Sequence, residues 1–333
     1  MLVGSSVADV GGDLSDDRLR FVPAASVSLE EYAAGFTASF VGYHFNLTLD
    51  AARLARKIRV EQHDLQHSLI AYEGDELVGV AALAIRGEAG WVGGFGVVPR
   101  RRGRGLGRLL MAALLGQARA CRLRRLTLEV LAQNAAARRL YEGAGMRVTR
   151  DLLILARAVV AGKEADAVGG GPSKVEESDS SNTDSLNADS SNSGSLKSDS
   201  SGWLKSDSST SDSLKEAAPT ELLSHFARLH AEPPAWQRDV PSLLTGRARG
   251  FYLGERGRPR AYALMSDGLD GNAYVSDLAA ADAATARELS AALARVACAL
   301  KVVNEPEHSP FVGPLLAHGF AETERQHEML LEL

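Results

Sequence analysis

Between Lys163 and Lys215 the chain has almost nothing to bury. The stretch is serine, aspartate and asparagine in a degenerate repeat, SDSSNTDSLN, ADSSNSGSLK, SDSSGWLK, SDSSTSDSLK. Such a composition cannot offset the entropy of ordering a chain, and Trp203 alone builds no core. It reads as a disordered, Ser/Asp-rich linker, with a docking or phosphorylation segment built on its Ser-Asp units as the alternative. The 333 residues are thereby divided into a flexible N-terminus over 1–20, a folded unit over 21–160, the linker over 163–215 and a second unit over 216–333. With 45% hydrophobic and 24% charged residues in the chain, each unit can bury a core of its own.

Before the linker, LEEYAAGFTASF and DAARLARKIRVEQ carry helical spacing, SLIAYEGDELVGVAALAIRG predicts a hairpin turning at Gly74-Asp75, and GWVGGFGVVP a buried strand. A helix follows, apolar at Leu106, Leu109, Leu110, Ala113 and Leu114. Then come the strand RRLTLEVL, a helix NAAARRLYEGAG ending at Gly143 or Gly145, and the strand MRVTRDLLILA. After the linker the order returns: a helix at ELLSHFARLHA, strands at GFYLGERGRPRAYALMS and AYVSDLAAAD, a helix ATARELSAALARVACAL, the strand KVVN, a helix PFVGPLLAHG and the strand ETERQHEMLLEL. LEVLAQN…LYEGAGM and LKVVNEP…LLAHGF both keep an Asn after the strand and a Gly before the last one. The expectation is an α/β (α+β) fold, a mixed central sheet flanked by helices, present twice as a tandem duplication.

The net charge is −5, yet Arg100, Arg101, Arg102, Arg104 and Arg108 cluster around Gly103, Gly105 and Gly107. A local basic patch in an acidic background suggests a local anion. A strand that passes through Pro99 into glycines and then a helix leaves backbone N–H groups pointing outward at the positive end of the helix, an arrangement that binds phosphate. The glycines let the backbone approach a ligand that a Cβ would obstruct. Two familiar phosphate loops fail on spacing. No Gly-Lys-Ser/Thr follows, and G-x-G-x-G replaces the dinucleotide G-x-G-x-x-G.

VVPRRRGRGLGRLLM followed by LTLEVLAQNAAARRLYEGAGM resembles the acetyl-coenzyme A site of the GNAT superfamily of N-acetyltransferases. One motif is Arg/Gln-x-x-Gly-x-Gly/Ala, here from Arg102 through Gly103, Arg104, Gly105 and Leu106 to Gly107. The other is Asn-x-x-Ala-x-x-Leu-Tyr-x-x-x-Gly-Phe, here Asn134, Ala137, Leu140, Tyr141, Gly145 and Met146, with Met in place of Phe. The resemblance covers about residues 69 to 156 and implies acetyl-coenzyme A as cosubstrate, without a metal. It implies that the backbone of Phe95, Gly96 and Val97 pairs with pantetheine and that the amides of Gly103 to Arg108 hold the pyrophosphate. It also implies that Tyr141 donates its proton to the departing thiolate. Gly93, Gly94 and Gly96 then make sense where a ligand approaches the strand.

Acetyl transfer to an amine needs a neutral amine, a polarised carbonyl and a proton for the thiolate. A phenol supplies that proton near neutral pH, and the other reading of Tyr141 is a half-buried aromatic on an amphipathic helix. Asn134 would bond the coenzyme or cap its helix. Glu129 leaves the core for the other face if its strand alternates; it is a candidate general base or a structural carboxylate, with Glu88 and a water chain as rivals. Phe40, Tyr43, His44 and Phe45 line an acceptor pocket or belong to the core. His44 is a weaker candidate for the base.

The second unit has no arginine-glycine turn before ATARELSAAL, and Leu315 stands where Tyr141 would. It is expected to be a degenerate copy that covers the first, completes the acceptor pocket or dimerises. His308, His318 and His327 lack metal-ligand spacing and read as surface residues. Cys121 and Cys298 fit small core residues in a reducing setting. MLVGSSVADVGGDLSDD has no basic start followed by an apolar run, and no apolar stretch approaches the ~18 residues that span a bilayer. The expected activity is transfer of an acetyl group to a primary amine, of a small molecule before a protein, by direct attack in a ternary complex, in a cytoplasmic monomer or homodimer without nucleic-acid or membrane partners. Two other classes stay open. One is a non-catalytic acyl-coenzyme A sensor or scaffold. The other is a nucleic-acid patch through Arg100 to Arg108, which steep salt dependence would reveal.

Overall fold

The computed structural model describes residues 19–44, 47–158, 214–267, 272–296 and 299–333. The expectations placed on the N-terminal 18 residues, Phe45, the serine-aspartate stretch up to 213 and Cys298 lie outside them.

In the first half the apolar alternation read from the sequence forms strands where expected, preceded by a short strand the pattern did not announce. That strand, β1 (Leu19–Pro23), pairs antiparallel with β2 (Leu69–Glu73). Between them lie α1 (Leu29–Ser39) and α2 (Ala51–Glu61), each begun by a polar cap: Ser28 accepts from the Glu31 N–H and Asp50 from the Arg53 N–H. The hairpin of β2 and β3 (Glu76–Arg86) turns at Gly74 and Asp75, with Gly74 at φ 60°. Next come β4 (Ala89–Val97), α3 (Leu106–Ala120), β5 (Arg125–Leu131), α4 (Ala135–Gly143) and β6 (Arg147–Arg157).

The second half repeats the order: β7 (Lys215–Ala217), then α5 (Pro219–Leu223), α6 (Phe226–Leu229) and α7 (Val240–Thr245). After these follow β8 (Arg249–Glu255), β9 (Arg258–Asp267), β10 (Ala273–Ala280), α8 (Ala283–Ala294), β11 (Leu300–Pro306), α9 (Val312–Ala317) and β12 (Ala321–Glu332). The single helix expected at ELLSHFARLHA is two short ones.

All twelve strands form one sheet, in the order β1-β2-β3-β4-β5-β12-β6-β11-β10-β9-β8-β7. Read from either edge, the two halves present the same series, and the final strand of each is seated in the other. β12 pairs with β5 from Gln326 opposite Leu131 to Glu332 opposite Arg125, and β6 pairs with β11 from Leu300 opposite Arg157 to Pro306 opposite Leu152. β6 and β12 pair with each other at the centre. Charges across this seam hold its register. Arg150 Nε donates to Glu328 (2.7 Å), Arg325 reaches Asp151 (2.9 Å) and His327 Nδ1 lies 2.7 Å from the same Asp151. His327 is thus a half-buried partner of Asp151, not the surface histidine expected.

In the first half, α3 and α4 cover one sheet face over Leu110, Leu114, Leu126 and Leu128, while α1 and α2 cover the other over Tyr32, Phe36, Leu54 and Val80. Cys121, half-buried at the end of α3, is a free thiol that packs against the first of these cores. No helix among the described residues is long and apolar enough to cross a membrane.

Candidate active site

β4 and β5 are in parallel register only from Ala89 opposite Arg125 to Trp91 opposite Thr127, and then separate. Beyond that point β4 is bonded to β3 alone, so its other edge, through Phe95, Gly96 and Val97, faces a cleft. The cleft opens into a cavity of about 580 Å³ lined by Phe95, Gly96, Val97, Arg102, Gly103, Gly105, Gly107, Arg108, Asn134 and Tyr141. Of the residues expected at a coenzyme site, only Arg104 and Leu106 lie off its wall, and Leu106 is buried as the first residue of α3.

The turn that starts α3 depends on two glycines with positive φ, Gly103 at 73° and Gly105 at 87°. At Gly103 an added Cβ would meet nothing within 4 Å, so the backbone borders open space. Among the described residues the amides of Gly103 to Gly107 have no backbone acceptor; the first helical bonds run from Arg108 and Leu109 to the Gly105 carbonyl. Five N–H groups at a helix start are thus without a backbone partner among the described residues, and three of them, of Gly103, Gly105 and Gly107, belong to residues on the cavity wall.

The arginines divide into two sets. Arg100 pairs with Glu76, Arg101 with Glu73 (2.7 Å), and Arg102 turns inward to donate to the carbonyls of Val97 (2.9 Å), Ser39 (3.1 Å) and Val41 (2.8 Å). Arg102 thus fastens the end of α1 to the end of β4. Arg104 and Arg108 make no ion pair among the described residues, and Arg108 lines the cavity with Arg139 of α4, which the sequence reading did not single out. Gly96 lines the cavity, and the glycines of β4 have a further cause that the sequence did not show. A Cβ on Gly93 would strike His63 and Trp91, one on Gly94 would strike Phe36, and one on Gly96 would strike Ser39. They admit the protein's own side chains from the α1 and α2 side.

Tyr141 lies on α4, whose first turn is capped by Asn134: its side chain accepts from the Ala137 N–H at 3.1 Å, a cap worth about 1 kcal/mol. The Tyr141 ring meets the edge of Phe95 at 6.0 Å, and burial, with Tyr43 nearby, pushes its pKa up. The phenol stays protonated. Phe40, Tyr43 and His44 line the same cavity, continuing the aromatic row of Phe36 and Phe40, stacked at 5.0 Å.

Glu129 lies on the other side of the sheet. Trp91 Nε1 donates to its Oε2 at 2.8 Å, and Oε1 is buried without a hydrogen bond of normal geometry. Burial raises its pKa to about 7; the Trp91 bond opposes this, Glu328 directly across on β12 and Glu61 add to it, and the Gln237 amide favours the anion. Beside it Lys57 binds Glu61 (2.6 Å), which also holds His63 Nε2 (2.9 Å). Burial opposes the charge on Glu61, but Lys57 and His63 keep its pKa below the ordinary value. Glu88 is not a rival base: it is exposed at the opposite end of β4, paired with Arg124 at 2.9 Å.

The second half closes this face. Trp236 stacks on Trp91 (5.9 Å, 8° between planes) and donates to the Glu61 carbonyl, while Arg86 lies over Trp236 and bonds its carbonyl, Asp239 and Ser242. Its own counterpart of the cleft is smaller, a cavity of about 190 Å³ lined by Arg238, Leu278, Ala279, Asn304 and Glu305. Arg238 bridges Asp277 of β10 and Glu305 of β11, and Tyr262 donates to Asp277 at 2.7 Å. Burial works against the Arg238 charge, but the two carboxylates more than reverse that. At the start of α8, Asp282 accepts from the Thr285 N–H at 2.8 Å. A carboxylate cap occupies the helix start that in the first half is bare. Leu315 is fully buried in the place expected for Tyr141.

Residues 30–146 match the acetyltransferase (GNAT) family. Almost the whole chain is similar in fold to a GCN5-related N-acetyltransferase from Sphaerobacter thermophilus (TM-score 0.58, 14% identity, 95% of this chain and 96% of that one). It is also similar to a tandem GNAT protein from the clavulanic acid biosynthesis pathway (0.58, 15%, 94% and 98%) and to a GCN5-related N-acetyltransferase from Anabaena variabilis (0.55, 11%, 94% and 72%). No curated protein matches the chain in sequence. Such identities establish the fold, and the sequence match establishes the family of the first half. Residues 30–146 are therefore a GNAT-family domain, and the chain as a whole has the fold of a tandem GNAT protein whose second copy is degenerate.

Proposed function

We propose that the first half is an acetyl-coenzyme A-dependent N-acetyltransferase that acts on a primary amine of a small molecule by direct attack in a ternary complex. One observation carries the reading: Gly103, Gly105 and Gly107 with their bare amides, the unpaired edge of β4 and Tyr141 all border a single cavity of about 580 Å³. Acetyl-coenzyme A supplies an acyl carbon already activated as a thioester. The amides of Gly103 to Gly107 hold its pyrophosphate, with Arg104 and Arg108 adding charge; the backbone of Phe95, Gly96 and Val97 pairs with its pantetheine arm, and Asn134 keeps α4 in place.

Proton handling is divided between the two faces. Glu129, on the α1 and α2 side, takes the proton of the incoming ammonium, directly or through water. The amine nitrogen bonds the carbonyl carbon as the carbon–sulfur bond breaks, Tyr141, on the α4 side, gives its proton to the sulfur, and the second proton shed by the nitrogen as it becomes an amide restores the Tyr141 phenol. Burial raises the phenol's pKa, and the same desolvation makes the thiolate a stronger base, so the transfer stays feasible. Tyr141→Phe is expected to lower kcat for thiol release by about 10²-fold or more while the Kd for acetyl-coenzyme A stays within twofold. Equal rates in the two proteins would remove Tyr141 from the chemistry and favour a binding protein without turnover.

A further inference from the structure

A second cavity, of about 460 Å³, lies between α2 and the second half. Its volume falls within the ~300–1,000 Å³ of small-molecule sites. Lys57 and Glu61 form one wall, Gln237 and Ser242 the other. Gln237 and Glu61 also act on Glu129, so the candidate base is close to this wall, where Lys57 is paired with Glu61 at 2.6 Å. The outer end is basic. Arg53, Arg56 and Arg247 line it; Arg53 is tied to Asp50 (3.6 Å), whereas Arg56 and Arg247 make no ion pair among the described residues. Neither half builds the space alone.

We propose that this cavity between the halves seats the acceptor, and that the acceptor is a small amine carrying an anionic group, a carboxylate or a phosphate, bound by Arg56 and Arg247 with its amine directed toward Glu129. The proposal rests on the acetyltransferase reading of the neighbouring cleft. An amine without an anion meets Arg56 and Arg247 with its own positive charge and leaves two guanidinium groups unused. A zwitterion or amino phosphate satisfies both the arginines and the base, which makes the charge pattern selective as well as attractive. The second copy, which has lost its own coenzyme turn, thereby supplies part of the acceptor wall.

The test uses the full chain with acetyl-coenzyme A and matched pairs of amines: β-alanine against β-alaninamide for the carboxylate, phosphoethanolamine against ethanolamine for the phosphate. Thiol release is followed in the native protein and in the Arg56→Gln/Arg247→Gln variant. The expected result is a preference of about tenfold or more in kcat/KM for the anionic member of at least one pair, falling below twofold in the variant. The pair with the larger ratio identifies the anion. Thermal midpoint and acetyl-coenzyme A affinity should not change, because both arginines are exposed and outside the coenzyme cleft. Equal use of both members, or a preference that survives the double substitution, overturns the proposal. Should no amine turn over although the coenzyme binds, the transferase reading fails separately. Calorimetric titration of the same four compounds then decides the cavity, and no preferential binding of the anionic members counts against it.

Discussion

Glu129 shows how one carboxylate comes to be useful near neutral pH. Folded, it keeps its proton up to about pH 7; unfolded, it loses it near its ordinary 4.5. Across that window the folded state binds more protons than the unfolded state, so stability contributed by this group is lost as pH rises through about 7. Glu129→Gln, which can still accept from Trp91, should raise the thermal midpoint at pH 8 and leave it nearly unchanged at pH 4. The same change should lower kcat/KM by about 10²-fold or more and remove an acidic limb centred near pH 7. A midpoint that does not rise at pH 8 would mean the carboxylate is not desolvated. At this scale the motif residues were legible because their spacing is local. The Lys57, Glu61 and His63 cluster, Trp91 and Gln237 were not, since nothing in their own segments shows that α2, β4 and the second half meet at Glu129. The clamp that Arg102 makes, from the cavity wall to the carbonyls of Ser39 and Val41, was not legible for the same reason, since those partners are some sixty residues away.

At the level of elements, α3 and α8 are a controlled comparison. Both follow the fourth strand of their half and bury one face, but α3 starts on glycine with bare amides and α8 starts on Asp282, whose carboxylate already satisfies an amide. Asp282→Ala is expected to lower the denaturant midpoint slightly and to create no second coenzyme site, because the cavity beside it is only about 190 Å³ and Arg238 bridges Asp277 and Glu305 on its wall. A gain of coenzyme binding in that variant would show that the cap alone silences the second copy. The absence of the arginine-glycine turn was readable in DLAAADAATAREL. The Arg238 bridge was not, because an arginine in a short irregular stretch carries no sign of its buried partners.

For the whole molecule the decisive feature is the exchange of β6 and β12. Alternating apolar residues identify a strand but not its neighbour, so the sequence reading foresaw two similar sheets and not one of twelve strands. The exchange predicts that residues 1–158 and 214–333, expressed separately, each lack the neighbours of their final strand and do not unfold cooperatively. Co-expressed, they should copurify and regain acetyl-coenzyme A binding. Cooperative unfolding and coenzyme binding by residues 1–158 alone would contradict the energetic weight placed on β12. Cleavage between residues 159 and 213 should likewise leave the two pieces joined through β5, β12, β6 and β11.

The central claim is that this chain holds one coenzyme site, at the glycine turn before α3. Calorimetric titration of acetyl-coenzyme A into the full chain tests it most directly, beside Gly105→Glu, which puts a carboxylate and a strained backbone at a residue with φ 87° on the cavity wall. One molecule bound per chain, abolished by the substitution in a protein that still folds, is the predicted result. No binding, two per chain, or unchanged binding in the variant would contradict it.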